Sequence, residues 1–434
     1  MESLVIDGGY GLHGGIRIQG AKNGALPVLA ASVLGGRSAV RNCPRLTDTD
    51  SSLEILRMLG CGAERDGDAV RVDASSVPRC DIPPALMRRM RSSVIFLGAV
   101  LARCGRAVVS APGGCELGPR PIDLHLEAMR LLGAEISQRR GLMYCSCAGR
   151  LRGAEIVLPY PSVGATENTM IAAATAKGRT VLVGAAKEPE VVELAEFINS
   201  KGGRIDGAGS DAVIIDGVEE LGDCEHTCIP DRIAAATFIA AAAATGSELT
   251  LYGAEPSHME AVISAFSEAG CRFRVFDGGF AVTAPERLKA IRFLRTAPYP
   301  GFPTDAQALI AAALASADGV SVINETVFAG RFRYLRELAR MGADVSAEGP
   351  LAVIRGAPFL TGAAAECTDL RGGAALVVAA LGARGRSEIR AVGHIDRGYE
   401  NVEAAFAALG ARIYRNVKDE TENAVDRFRE ASGV

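Results

Sequence analysis

Cys115 stands in the run SAPGGCELGPRPID, Ser110 to Asp123, with Arg120, Asp123 and His125 close behind it. Cysteines usually pack in cores as small apolar groups. Two glycines before this one and Pro-Arg-Pro after it describe a loop instead. Cations near a loop thiol favour the thiolate and hence its reactivity. A second set of polar groups stands where apolar, Ala-rich segments begin: Lys22 and Asn23 in GAKNGALP, Arg91 in RMRSSV, Ser162 in SVGATENT, Asp231 and Arg232 in PDRIA, Asp305 in PTDAQ, and Asp369 and Arg371 in TDLRGG. Helix capping accounts for Ser162, Asp305 and Asp369. It does not account for Lys22, Arg91, Arg232 and Arg371, because the macrodipole disfavours a cation at a helix start. Cations beside helix N-termini make an anion site. Starts that converge between two domains would hold a substrate rich in negative charge.

The elements that must position these groups repeat along the chain. One echo is LGC, LGA, KGG, AGC, MGA and LGA, with glycines at 60, 133, 202, 270, 342 and 410. Each glycine follows a mixed polar and apolar helical pattern such as SSLEILRMLG and precedes a strand-like run, so it reads as a left-handed residue just past a helix end. A second echo, GRSAV, GRAVV, GRTVL, GSELT, GVSVI and GRSEI, has glycines at 36, 105, 178, 246, 319 and 385. Each of these follows a segment that is apolar nearly all round, which predicts a buried helix. The repeating unit is therefore about 70 residues: buried helix, strand, amphipathic helix, strand pair. Six such units exceed one core, and three per domain give two similar α/β domains whose buried helices are walled in by sheets. We expect residues 21–229 as the first domain, carrying the Cys115 loop, and 1–20 with 230–434 as the second. GYGLHG (Gly9–Gly14) matches a dinucleotide fingerprint, but that motif requires a helix next; IRIQG follows, which predicts a hairpin.

Composition narrows the function classes. The 434 residues are 48% apolar and 23% charged with a net charge of −4, a globular balance without the basic excess expected of a nucleic-acid binder. The longest nearly apolar run, Ile233 to Thr245, falls short of the roughly 20 residues of a membrane span. No basic region followed by an apolar run opens the chain, and eleven cysteines read as reduced thiols of a cytoplasmic protein. CEHTC and CSC lack the paired spacing of a zinc site, so no metal is expected.

The motifs GAKN at 20–23, PGGCELGPRPIDLH at 112–125, SVGATEN at 162–168, IPDRI at 229–233, RTAPYPGFPTDAQ at 295–307, ETVFAGRF at 325–332, TDLR at 368–371 and HIDRGYE at 394–400 resemble the enolpyruvyl transferase family, in particular its UDP-N-acetylglucosamine 1-carboxyvinyltransferases. The resemblance covers about residues 1–415. It implies two inside-out, barrel-like α/β domains of three repeats each. It also implies a reaction, the first committed step of peptidoglycan synthesis, in which the enolpyruvyl group of phosphoenolpyruvate moves to the 3′-hydroxyl of UDP-N-acetylglucosamine. Phosphate leaves by addition–elimination through a tetrahedral intermediate, and neither metal nor organic cofactor is implied. By the same resemblance, Lys22, Asn23, Arg120, Arg331, Arg371 and Arg397 surround phosphoenolpyruvate. Arg91, Arg120, Pro121, Ile122, Asp123, Leu124, Ser162, Val163, Asp305 and Val327 touch the UDP-sugar. Asp305 matches a base beside the 3′-hydroxyl, Asp369 a second catalytic carboxylate, and Cys115 the loop cysteine that acts as general acid and is alkylated by fosfomycin. Tyr160 stands where some members carry lysine, and Gly24 where a small residue such as alanine is usual. The tail from Asn416 lies beyond the resemblance.

Two other readings compete. The sibling enzyme, 5-enolpyruvylshikimate-3-phosphate synthase, shares fold and reaction type but uses no loop cysteine like Cys115. A catalytically silent paralogue that binds the UDP-sugar would be free to lose Lys22, Cys115, Asp305, Arg331 and Arg397, all of which are present.

Overall fold

The computed structural model describes residues 2–113 and 122–417. Cys115, Arg120, Pro121 and the end of the tail lie outside the described residues. Contacts divide the chain into two compact units, one comprising 19–231 with 298–300, the other 1–18, 232–297 and 301–434. No helix among the described residues is long and apolar enough to cross a membrane.

Each unit holds three buried helices that pack on one another. They are Lys22–Ala31, Ile95–Cys104 and Val163–Ala173 in the first unit, and Arg232–Thr245, Thr304–Leu314 and Leu370–Gly382 in the second. Their Ala-rich composition explains this. Small side chains let helices approach closely, and residues such as Ile233 through Ala243 leave no polar face to turn toward water. After each of the first five buried helices come a strand, an amphipathic outer helix and an antiparallel strand pair, as in Arg179–Val183, Pro189–Ser200, Ile205–Asp206 and Ala212–Asp216. All six glycines at 60, 133, 202, 270, 342 and 410 have φ between 85° and 107°. That conformation ends the outer helix and turns the chain into the hairpin.

Three sheets belong to each unit, and the way they close is not local. Glu155–Val157 pairs in parallel with Arg179–Val183 across the buried helix Val163–Ala173, a βαβ crossover. In the fourth sheet the strand in that position is Gly15–Arg17, parallel to Glu248–Tyr252. In the first sheet it is Cys224–Thr227, parallel to Arg37–Arg41. Glu2–Gly8 lies antiparallel between Gly385–Arg390 and Arg412–Val417 and completes the sixth sheet. The hairpin expected around GYGLHG is therefore corrected: Glu2–Gly8 and Gly15–Arg17 enter different sheets. Continuous burial from Ser3 to Ile6, with Leu4 and Ile6 fully buried, suits a strand flanked on both sides.

Candidate functional site

In the unit containing 232–297, the starts of two buried helices meet through charge. Asp305 is the second residue of Thr304–Leu314. Arg331 Nη2 donates to its Oδ1 at 2.7 Å. Arg371 donates to its Oδ2 from Nε at 3.3 Å and from Nη2 at 3.2 Å. The Arg331 and Arg371 side chains are only 2% and 4% exposed, against 28% for Asp305. Arg331 Nη1 also lies 3.8 Å from Asp369 Oδ1. Its Nε donates to Thr304 Oγ1 at 3.1 Å, and its guanidinium covers the Phe328 ring. Two buried guanidiniums share one carboxylate here, and arginine presents its donors in a rigid fork that matches anionic oxygens.

The surrounding residues hold this arrangement in place. Glu325 Oε2 accepts from Thr304 Oγ1 at 2.9 Å, and its Oε1 accepts from the backbone N–H of Val327 and Phe328 at 2.8 and 3.1 Å. One carboxylate thus orders both the turn carrying Val327 and the hydroxyl that Arg331 contacts. Arg371 Nη1 approaches Tyr399 Oη at 3.5 Å, and that hydroxyl pairs with Thr237 Oγ1 at 2.7 Å. Asp369 caps the helix Leu370–Gly382, accepting from Arg371 N–H at 3.0 Å and Gly372 N–H at 3.1 Å. Asp305 does not cap its helix: Pro303 holds the cap position and makes no side-chain bond there. That expectation is corrected, and the carboxylate is turned to the arginines instead. Half-buried Arg397 ends the short helix Val392–Arg397. Its neighbour Asp396 accepts from Arg415 at 2.6 and 3.0 Å.

The other unit places a second set. Lys22 is the first residue of its buried helix and only 8% exposed. Its Nζ lies 2.7 Å from Asp48 Oδ2, and its backbone N–H donates to Asp231 Oδ2 at 3.1 Å. Asn23 follows, half-buried. Half-buried Arg91 opens a 3-10 turn leading straight into Ile95–Cys104. Ser162 caps Val163–Ala173, its Oγ accepting from Ala165 N–H at 3.4 Å. Ile122 precedes the outer helix Asp123–Leu131, where Asp123 is exposed and Leu124 half-buried. Buried His125 is fixed by Asn168, whose Nδ2 lies 3.0 Å from His125 Nδ1 and also donates to Val94 O. The helix-start cations Lys22 and Arg371 are thus balanced by carboxylates, which accounts for their tolerance near positive helix ends.

Sequence reasoning did not single out Asp48, Thr304, Glu325, Tyr399 or Thr237 as partners of these groups. Asp48 reads as an ordinary first-turn acid, and Thr304, Glu325 and Tyr399 lay inside the motifs RTAPYPGFPTDAQ, ETVFAGRF and HIDRGYE without being distinguished from their neighbours there. Among the described residues no group of three or more His, Cys, Asp or Glu is arranged to hold a metal ion.

Comparisons with known proteins agree in family. Residues 6–406 match the family EPSP synthase (3-phosphoshikimate 1-carboxyvinyltransferase). UDP-N-acetylglucosamine 1-carboxyvinyltransferase 2 of Caldanaerobacter subterraneus subsp. tengcongensis is 49% identical over 96% of this chain and 100% of its own. UDP-N-acetylglucosamine 1-carboxyvinyltransferase of Myxococcus xanthus is 44% identical over 96% of this chain and 99% of its own. The crystal structure of the enolpyruvyl transferase NikO from Streptomyces tendae superimposes with a TM-score of 0.87 at 27% identity, over 96% of this chain and 99% of that one. EPSP synthase from Acinetobacter baumannii, at 18% identity and a TM-score of 0.74 over 96% of this chain and 100% of that one, shares the fold. The chain therefore belongs to the enolpyruvyl transferase family, among the UDP-N-acetylglucosamine 1-carboxyvinyltransferases.

Proposed function

We propose that this chain transfers the enolpyruvyl group of phosphoenolpyruvate to the 3′-hydroxyl of UDP-N-acetylglucosamine with release of phosphate, in the cytoplasm, as a step of peptidoglycan synthesis. The observation that carries the reading is the Asp305 carboxylate held by the buried guanidiniums of Arg331 and Arg371. Relatives 44–49% identical bear the name of that enzyme. In the proposed addition, the 3′-oxygen bonds to C2 of phosphoenolpyruvate, its proton passes to Asp305, and Cys115 gives a proton to the methylene carbon. In the elimination, the methyl group returns a proton to the Cys115 thiolate, the C2–O bond breaks as phosphate leaves with its electron pair, and the double bond re-forms. Arg331, Arg371 and Arg397 offset negative charge on the phosphate and carboxylate as it redistributes. Incoming anions compete with Asp305 for the guanidiniums, leaving the carboxylate able to accept the hydroxyl proton. Lys22, Asn23 and Arg120 complete the phosphoenolpyruvate contacts. Arg91, Pro121, Ile122, Asp123, Leu124, Ser162, Val163 and Val327 contact the UDP-sugar, and Asp369 serves as the second carboxylate.

The test is phosphate release from phosphoenolpyruvate with either UDP-N-acetylglucosamine or shikimate 3-phosphate as acceptor. Release with the UDP-sugar alone, abolished by fosfomycin and lost in Cys115→Ala, is the expected result. Release with shikimate 3-phosphate would assign the sibling reaction. Binding of the UDP-sugar without release would identify a silent paralogue.

A further inference from the structure

Gly24 is the third residue of the helix Lys22–Ala31, in its first turn, and glycine within a helix is ordinarily worse than alanine. Space explains it. A Cβ at this position would lie 1.8 Å from Glu193 Oε2 and 2.8 Å from its Cδ. Glu193 projects from the outer helix Pro189–Ser200 and is 1% exposed. Its Oε1 accepts from Ile229 N–H at 2.9 Å and meets His226 Nε2 at 3.1 Å, whereas its buried Oε2 has no partner. Burial raises the Glu193 pKa above the ordinary carboxyl value, and the bonds from His226 and Ile229 oppose that rise.

The segment that Glu193 grips is paired with the segment carrying Lys22. Ala21 N–H donates to Ile229 O at 2.7 Å and Asp231 N–H to Gln19 O at 2.9 Å, flanking a Gly20–Pro230 bridge. Asp231 Oδ2 then accepts Lys22 N–H. One carboxyl therefore contacts both sides of this ribbon, by hydrogen bond at Ile229 and by van der Waals contact at Gly24. An unpartnered buried oxygen costs stability, so burial energy does not account for glutamate here.

We propose that Glu193 is a positioning residue for Lys22 and Asn23, and that Gly24 and Glu193 form a fitted pair in which the carboxyl fills the space a methyl group would take. The functional half of this proposal rests on the reading that Lys22 and Asn23 bind phosphoenolpyruvate.

The test is a double-variant cycle. Gly24→Ala forces the carboxyl away and is expected to raise the KM for phosphoenolpyruvate about tenfold or more, as small misplacements in a site do, with the KM for the UDP-sugar nearly unchanged. It should also lower Tm, opposite in sign to the usual Gly-to-Ala change in a helix. Glu193→Asp withdraws the carboxyl by one methylene and should also weaken phosphoenolpyruvate binding. Gly24→Ala with Glu193→Asp should recover both Tm and KM, because the shorter acid leaves room for the methyl. Additive effects in the cycle would overturn the fitted pair. Recovery of Tm without recovery of KM, or equal rises in both KM values, would overturn the positioning role. If the unaltered protein releases no phosphate, the proposed function fails. The Tm cycle then still decides the pair, and phosphoenolpyruvate binding followed by thermal shift decides the positioning.

Discussion

Replacing Asp305 by Asn keeps the shape of the side chain and removes the charge between two buried guanidiniums. Three charge-assisted contacts, at 2.7, 3.2 and 3.3 Å, become neutral or are lost. Arg331 keeps its bond to Thr304 Oγ1 and, for a counter-charge, the more distant Asp369 carboxylate at 3.8 Å. Removing one partner of a buried ion pair costs about 3–5 kcal/mol. The partial exposure of Asp305 and the acceptor oxygen that Asn retains place this case near the lower end, at about 3 kcal/mol. Urea denaturation followed by circular dichroism measures it, since the chain has no tryptophan to report by fluorescence. The same variant should bind an anion better, because the guanidiniums no longer have Asp305 to satisfy them. Inorganic phosphate should therefore stabilise Asp305→Asn more than the unaltered protein, returning about 2.7 kcal/mol at a hundredfold excess over Kd. Turnover should fall about a hundred- to ten-thousandfold through loss of the proposed base. A stability loss below about 1 kcal/mol, or equal stabilisation of both proteins by phosphate, would refute the assignment of Arg331 and Arg371 as a substrate-anion site held closed by Asp305.

Two further outcomes are expected. Glu167 is buried with Oε1 unpartnered, and burial, reinforced by Glu190, Glu188 and Glu193, holds its pKa well above 4.5. The folded protein keeps that proton where the unfolded chain releases it, so this group's contribution to stability is complete below about 4.5 and is lost as pH rises. Glu167→Gln should match the unaltered protein in Tm at low pH and exceed it increasingly as pH rises; a constant difference would show that Glu167 does not titrate this way. Arg415 bridges Asp396, Glu403 and Glu2 at 2.6–2.8 Å. Arg415→Gln should cost about 1.5–3 kcal/mol and raise the KM for phosphoenolpyruvate through displacement of neighbouring Arg397; an unchanged KM would show that the network serves stability alone.

The six buried helices were legible because their apolarity is continuous and each outer helix stops at a glycine whose positive φ leaves a mark in sequence. What local pattern could not show is pairing between distant segments. Gly15–Arg17 finds its parallel neighbour at 250–252, and nothing near residue 15 encodes that choice. The same limit governs the site. Asp369 was readable as a cap because capping is a local device. Asp305 was misread as one because its true partners, Arg331 and Arg371, lie far along the chain. Lys22 was recognisable as a cation out of place, but its balancing Asp48 sits in an acidic helix start like many others. Glu193 behind Gly24 left only the glycine as a trace.

The sixth sheet has a consequence for synthesis. Glu2–Gly8 leaves the ribosome well over three hundred residues ahead of its neighbours, Gly385–Arg390 and Arg412–Val417. At roughly 5–20 residues per second, this strand waits about 20–80 s for them. The unit of residues 19–231 can consolidate in that interval, while Leu4 and Ile6, fully buried in the finished fold, remain without a sheet to enter. A nascent strand of this kind is open to pairing with other chains, so the last sheet to close exposes the newly made protein longest to chaperones and to aggregation.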